Sequence, residues 1–362
     1  MWTMVGGHLG FRFSDSVRPQ QDVIPPGVTW HQTAVASFQP QKCTVTLADG
    51  RTISYDSLVI SAGIKNDYDK IEGLKASLDD PNCPVGSVYD GAYADKTDRI
   101  MAAVGAGDCL FTQPDCPIKC GGAPQKVMWL WESEWRRRGV RGNVNVSFFT
   151  NLPNMFHVPR YYKVLNQMAV DKNVDTNFQT NLVKVDGKKQ MAHFKMLTTG
   201  ETFTRPFNAL HVVPYMSPPE VISSSPLANA AGFVDVDKQT LKSTKFENVF
   251  ALGDCSSIPT SKTAAAIASQ APVLVSNLLH RAKGEPLSAA YDGYTSCPIL
   301  VGDGKLLLAE FLFAPGLEVA ETFAPLTDQA APSRALFHLK RDVFPWVYWH
   351  SFLKGTWYAS IV

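Results

Sequence analysis

The sequence predicts an α/β fold, a layer of buried strands and helices with a small antiparallel sheet inserted, on three observations. One is Leu58-Val59-Ile60-Ser61-Ala62-Gly63, a short apolar run ending in small residues, as in a strand covered on both faces. Another is the order strand, helix, strand, strand pair, strand between residues 143 and 213. The third is Asn248-Val-Phe-Ala-Leu-Gly-Asp-Cys255, a buried strand and Gly-Asp corner that leads into an alanine-rich helix from Lys262 to His280.

The remaining elements follow from local chemistry. Pro25, Pro26 and Gly27 mark a turn. Val28 to Val35, Thr44 to Leu47 and Thr52 to Ser54 read as strands of a meander, with Asp49-Gly50 as a hairpin turn. The 90s carry a polar helix, Asp108 to Phe111 begins a strand, and Pro114 to Pro124 is a loop rich in Pro, Gly and Cys. Gln125 to Arg138 reads as a helix, with apolar residues at 127, 128, 130 and 131 and positive charge at its end. The pattern restarts near Val140. Asn143 to Phe149 alternates as a strand, Tyr161 to Val170 is a helix, and Asp175 to Phe178 is extended. Asn181 to Val185 and Met191 to Leu197 pair across Asp186-Gly187, Ala209 to Val213 is a buried strand, and a last strand pair lies near Ile299 to Phe313. No repeat of fixed period is visible.

Composition narrows the function classes. The 362 residues are 45% hydrophobic and 19% charged, enough apolar material for a packed core and no case for disorder. Lys plus Arg number 34 against 33 Asp plus Glu, with no long run of one sign. Nucleic-acid binding and a polybasic membrane tether are therefore not expected. Seven cysteines, at 43, 83, 109, 116, 120, 255 and 297, are too few and too scattered for a disulfide scaffold. They point to a reducing compartment in which a cysteine pair is chemical rather than structural. No apolar stretch approaches the ~20 residues that span a bilayer, and Met1 to Gly7 shows no targeting pattern.

The Gly253-Asp254 corner carries the clearest chemistry. Glycine permits close backbone approach to a ligand, and the helix that follows offers free N–H groups and a positive dipole end. Asp254 can accept hydrogen bonds from sugar-type hydroxyls. An ordinary strand-to-helix turn is the bland alternative. Cys116 and Cys120 form a C-x-x-x-C pair, but no second pair or histidine cluster lies at ligand spacing, so no metal is expected. Gly105-Ala-Gly107 precedes a strand and reads as a turn. At the C-terminus Phe344, Tyr348 and Phe352 recur every four residues with Trp346, Trp349, Trp357 and Tyr358 nearby. That spacing suits an amphipathic helix in a lipid headgroup layer, or a helix packed on the core.

The Gly253-Asp254 segment resembles the second flavin-contacting motif of the two-dinucleotide-binding-domain flavoproteins, and Tyr55 to Gly63 looks like the strand preceding it there. Pro117-Ile-Lys-Cys120-Gly-Gly-Ala-Pro-Gln-Lys126 and Tyr291-Asp-Gly-Tyr-Thr-Ser-Cys297-Pro298 resemble the two redox-cysteine motifs of mitochondrial-type sulfide:quinone oxidoreductases. Pro214 to Pro219 and Phe344 to Trp349 are also similar to that family, and the likeness runs along nearly the whole chain.

The resemblance implies two Rossmann-like domains, both FAD/NAD(P)-binding-like, and a C-terminal amphipathic membrane-contact region. The first domain would lack its initial βαβ unit, since no Gly-x-Gly-x-x-Gly turn is present. The implied division is 1–125 for the FAD-binding domain, 126–245 for the second, 246–295 returning to the first, and 296–362 for the region holding the second redox cysteine and the quinone and membrane contacts. FAD is the implied cofactor. Hydrogen sulfide would attack the Cys120–Cys297 pair and leave a persulfide on one member, taken as Cys297. The other thiolate, taken as Cys120, would pass two electrons to the flavin, which reduces ubiquinone. Glutathione or sulfite would accept the sulfur. The free-thiol reading of both cysteines stays open.

Lys126 and Lys340 resemble lysines placed near the ring, where an ammonium would stabilise the charge of reduced flavin. Solvated surface lysines are the alternative. Lys262, Val35 and Gly63 complete the implied cofactor contacts, Val35 through its backbone near the adenine or simply by packing in its strand. A mitochondrial inner-membrane location follows from the family. Two other readings remain: a remnant unable to hold FAD, and a related NADH:quinone reductase. The latter is disfavoured by the lack of a glycine fingerprint after Val146 and by the unexplained cysteines.

Overall fold

The computed structural model describes residues 2–313 and 318–357. Of the C-terminal aromatics only Tyr358 lies outside the described residues. The chain starts with one helical turn, α1 (Trp2–Val5), and becomes a strand only at residue 35. The meander is β1 (Val35–Gln39), β2 (Thr44–Leu47) and β3 (Thr52–Ser54), all antiparallel. The strand expected over Val28 to Val35 is corrected to Val35–Gln39. The ladder begins where Val35 finds Leu47 as its partner, and before that point Val28 and Trp30 face solvent.

After β4 (Leu58–Ile60) and β5 (Lys65–Asp67) come α2 (Leu74–Asp79), β6 (Val85–Gly86), α3 (Gly91–Ala102) and β7 (Gly107–Gln113). Asp90 caps α3 by accepting from the Ala92 N–H at 3.0 Å. Then follow α4 (Ala123–Arg137), β8 (Val144–Thr150), α5 (Pro159–Asp171) and β9 (Val174–Asn177). An antiparallel insert, β10 (Thr180–Asp186), β11 (Met191–Met196) and β12 (Thr202–Pro206), precedes β13 (Ala209–His211) and β14 (Tyr215–Ser217). The insert packs on the main layer through Phe149 and Phe194, whose rings stack at 3.9 Å.

The main layer is a parallel sheet of five strands in the order β6-β13-β7-β8-β9. It corrects the expected boundary at residue 125 and the restart near Val140. β7 and β8 pair residue by residue from Gly107↔Val144 to Gln113↔Thr150, so residues on both sides of that boundary share one sheet. α4 is the crossover that parallel neighbours require, not the start of a new unit.

A short helix, α6 (Glu220–Ser223), leads toward β15 (Val249–Ala251), which pairs in parallel with β4 as the expected Rossmann-like corner requires. The long helix α7 (Ala264–Ala282) starts two residues later than expected because Thr263 caps it, accepting from the Ala266 N–H at 3.0 Å. The last strand pair is a hairpin, β16 (Thr295–Gly302) and β17 (Lys305–Phe311). Cys297 therefore sits within a strand rather than in a turn; Pro298 is tolerated because a two-stranded ribbon leaves edges free of ladder bonds.

The C-terminal helical stretch is α8 (Arg334–His338), a π turn at Leu339–Val343, and α9 (Phe344–His350). The helix ends before Phe352, so Phe344, Tyr348 and Phe352 do not lie on one continuous helical face, although the Tyr348 and Phe352 rings remain 6.3 Å apart. Arg18 lies over the Trp349 ring at 4.5 Å and ties this end to the first loop. Among the described residues no helix is long and apolar enough to cross a membrane.

One core joins these parts where it matters for chemistry. Trp129, Trp131 and Trp135 of α4 share one core with Phe111 and Phe148 of the sheet and with Cys297, Ile299 and Leu307 of the hairpin. Inside the sheet His211 is fully buried and neutral, its pKa pushed down to about 3 by burial. Its Nε2 accepts from the Val88 N–H at 3.3 Å. The unfolded chain protonates this ring near pH 6.5 while the folded one does not. Stability is therefore expected to fall by about 1.4 kcal/mol per pH unit from this residue as pH drops from 6.5 toward 3. Urea midpoints measured across that range should show a shallower decline in His211→Asn than in the parent chain.

Candidate active site

Cys120 and Cys297 are 177 residues apart in sequence, and the fold sets their Sγ atoms 3.9 Å from each other. Cys120 ends the loop before α4, with a left-handed backbone, φ +77°. Its carbonyl accepts from the Ala123 N–H at 2.7 Å, which folds the loop onto the helix start. Cys297 enters from β16, buried against the same helix end. Gly122 makes the approach possible: a Cβ built there would lie 2.4 Å from the Cys297 sulfur.

Charge distinguishes the two sulfurs. Cys120 receives the Cys297 thiol hydrogen bond, and against burial the Lys126 and Lys340 charges also favour its ionised form. Its pKa lies well below the ordinary thiol value. Cys297 is pushed well above that value, first by its bond to Cys120 and then by burial. The pair is thus a Cys120 thiolate facing a Cys297 thiol.

Lys126 comes from the first turns of α4, buried, with Nζ 3.4 Å from the Cys120 sulfur. Burial opposes its charge, but the facing sulfurs hold its pKa up. Lys340 arrives from the π turn, a departure from regular helix that is common at functional sites. Burial, with repulsion from Lys126, pushes its pKa down to about 8. Two ammonium groups thus meet one thiolate, leaving positive charge for a further anion.

The Gly253 corner adjoins this cluster. The backbone of Lys119, next to Cys120, pairs in parallel with that of Lys262 in a single β-bridge. Gly253, with φ +70°, donates its N–H to Gln270 Oε1 at 2.8 Å. Lys262 Nζ donates to the Asp254 carbonyl at 2.6 Å and lies 4.4 Å from the centre of the Phe233 ring. Burial raises the pKa of the Asp254 carboxyl and lowers that of Lys262. Gly253, Asp254, Thr260, Lys262 and Thr263 line a small cleft at the N-terminal end of α7. The Asp254 carboxylate accepts no hydrogen bond from the described residues.

These residues fit a flavin. The unpaired carboxylate suits a hydroxylated chain, the α7 end suits an electron-rich ring oxygen, and the surplus ammonium charge suits a reduced, anionic ring. Gly63, with φ +68°, follows β4 beside Cys255, whose thiol lies against the Ala62 and Gly63 backbone. Val35 pairs with Leu47 in the meander and does not line the Asp254 cleft. Among the described residues no three His, Cys, Asp or Glu side chains are grouped as a metal site.

Sequence reasoning missed Gly122, Gln270 and Tyr89. The Gly121-Gly122 pair beside a cysteine was the available signal for a close approach. Tyr89 gave none, because only the sheet brings it to the Cys120 carbonyl, 3.3 Å away.

No family model matches the chain. It is 45% identical over 366 residues to a mitochondrial sulfide:quinone oxidoreductase of Schizosaccharomyces pombe, an alignment covering 99% of this chain and 79% of that one. It is 43% identical over 362 residues to the mitochondrial sulfide:quinone oxidoreductase of Dictyostelium discoideum, with 99% and 78% covered. Its fold is similar to the solved sulfide:quinone oxidoreductase of Aquifex aeolicus, with a TM-score of 0.80 at 17% identity over 98% of this chain and 82% of that one. On these likenesses the chain belongs to the mitochondrial sulfide:quinone oxidoreductases, a family of flavin-dependent enzymes.

Proposed function

We propose that the chain oxidises hydrogen sulfide at Cys120 and Cys297, with FAD as cofactor and ubiquinone as electron acceptor. The observation that carries this reading is the 3.9 Å approach of two sulfurs with opposite ionisation preferences beside two lysines. In the oxidised pair the better leaving group is Cys120, because Lys126 and Lys340 stabilise its thiolate. Hydrosulfide therefore attacks the Cys297 sulfur. The S–S bond breaks, Cys120 leaves as thiolate, and Cys297 carries the persulfide.

A nucleophile such as glutathione or sulfite then takes the outer sulfur and leaves Cys297 as a thiol. Re-forming the bond between the Cys120 thiolate and the Cys297 thiol releases one proton and two electrons; bound FAD would take up the electrons and deliver them to ubiquinone. Asp254, Lys262 and Gly253 hold the cofactor from the α7 side, Lys126 and Lys340 face it from the sulfur side, and Gly63 and Val35 extend the contact toward its adenine half. Residues 246–295 belong with the FAD-binding part of the chain, and residues 296–362 with the quinone and membrane contacts.

The C-terminal aromatics support monotopic membrane contact at the mitochondrial inner membrane. Trp346, Tyr348 and Trp357 are 61%, 42% and 43% exposed, which is costly in water and favourable among lipid headgroups.

Purified protein supplied with FAD should reduce a short-chain ubiquinone on addition of sulfide. Cys120→Ser and Cys297→Ser should each abolish that reduction, and full activity in either variant would overturn the reading. Gly122→Ala, which forces the sulfurs apart, should reduce turnover sharply while costing about 1–3 kcal/mol of stability in a denaturant titration. Lys340 is charged below about pH 8 and neutral above it. Lys340→Met should accordingly raise the pH at which Cys120 becomes alkylated by about one unit. The rate difference from the parent should be present below pH 8 and fade above it.

A further inference from the structure

Cys120 is held in a conformation that a residue with a Cβ rarely adopts. The loop has little stiffness of its own, since Gly121 and Gly122 follow and Gly121 has open space around its Cα. Some contact from outside the loop must fix the turn. The Cys120 carbonyl accepts two hydrogen bonds: the Ala123 N–H at 2.7 Å, from the first residue of α4 that directly follows the loop, and the Tyr89 hydroxyl at 3.3 Å, from a distant part of the chain.

Tyr89 is well placed to be that contact. It is 5% exposed and sits three residues beyond β6, at the carboxyl edge of the five-stranded sheet. Its backbone is itself pinned: the Asn66 amide donates to its carbonyl at 3.1 Å, and its N–H donates to Ser87 Oγ at 3.2 Å. Burial and the nearby sulfurs keep its hydroxyl protonated, so it is a permanent donor.

The geometry assigns Tyr89 as the positioning residue of this site: its hydroxyl holds the Cys120 carbonyl, and through it the left-handed turn that aims the Cys120 sulfur at Lys126 and Cys297. Without that bond the turn relaxes toward ordinary backbone angles. The sulfur then leaves the ammonium and the partner thiol that favour its ionised form. Tyr89 touches no reacting atom and acts through Cys120 alone. The assignment rests on the reading of Cys120 as the reactive thiolate.

The test is the rate at which iodoacetamide alkylates Cys120, followed on its own peptide by mass spectrometry from pH 5 to pH 9. Tyr89→Phe keeps the ring and removes the donor. Its midpoint should move to higher pH, with a rate about fivefold lower near pH 6, the change expected from one lost hydrogen bond. The thermal unfolding temperature should stay within a few degrees of the parent. Asn66→Ser, which frees the Tyr89 backbone and leaves the hydroxyl in place, should shift the profile in the same direction, and it serves should Tyr89→Phe fold poorly. A Tyr89→Phe profile superimposed on that of an acid-reactive parent overturns the assignment alone. A parent Cys120 that reacts only at ordinary thiol pH overturns both it and the proposed function.

Discussion

The site depends on one packing event, the seating of the β16–β17 hairpin on the N-terminal half of α4. The indole rings of Trp129, Trp131 and Trp135 are fully buried in the one core that also holds residues of the parallel sheet and of the hairpin. Burial of this much aromatic area drives the hairpin home, and its register then decides which side chain meets the helix end. Cys297 pairs across the hairpin with Ala309, a small neighbour that lets the strand lie close to Gly122. A shift of one residue would turn Cys297 to the other face and put Pro298 or Ser296 in its place. Chemistry at the sulfurs is thus specified by hydrophobic packing some distance from them.

Electrostatics builds on that placement. A thiolate buried alone would be neutralised by protonation. Here two lysines from opposite parts of the chain, Lys126 on α4 and Lys340 on the C-terminal π turn, converge on the same atom. Burial, and after it their mutual repulsion, lowers the pKa of Lys340, and the negative charge of the sulfurs offsets part of that cost. The arrangement favours whichever state of the site carries the most negative charge. In the proposed reaction sulfide would enter as an anion and the cysteine would depart as one, so the same field would serve both.

Much of this was legible in the residues. The strand ending in Ala62-Gly63 and the Gly253-Asp254 corner announce themselves by small residues at strand ends, and they pair with each other as parallel neighbours. Cys120 and Cys297 were legible by motif, and Lys126 by its place in the first of those motifs. The division of the chain was not. Hydrophobic patterning marks β7 and β8 as strands but holds no information on which strand lies beside which, and a crossover helix looks like the start of a domain. Val28 was misread because apolar, β-branched residues favour strands only where a partner edge exists. Tyr89 was illegible for a related reason: its role comes from a hydrogen bond across 31 residues of sequence to a main-chain atom, which leaves no signature in residue type.

The wide separation of the two cysteines has a thermodynamic side as well. A bond between their sulfurs would close a loop of 177 residues. In the chain-entropy view, a cross-link spanning so much polypeptide restricts the unfolded ensemble by about 5 kcal/mol, comparable to the entire net stability of many domains. Each opening of the bond by sulfide would remove that restraint, and each closing would restore it. Resistance to unfolding would then oscillate with turnover, the protein being least robust while holding cargo sulfur and most robust at rest.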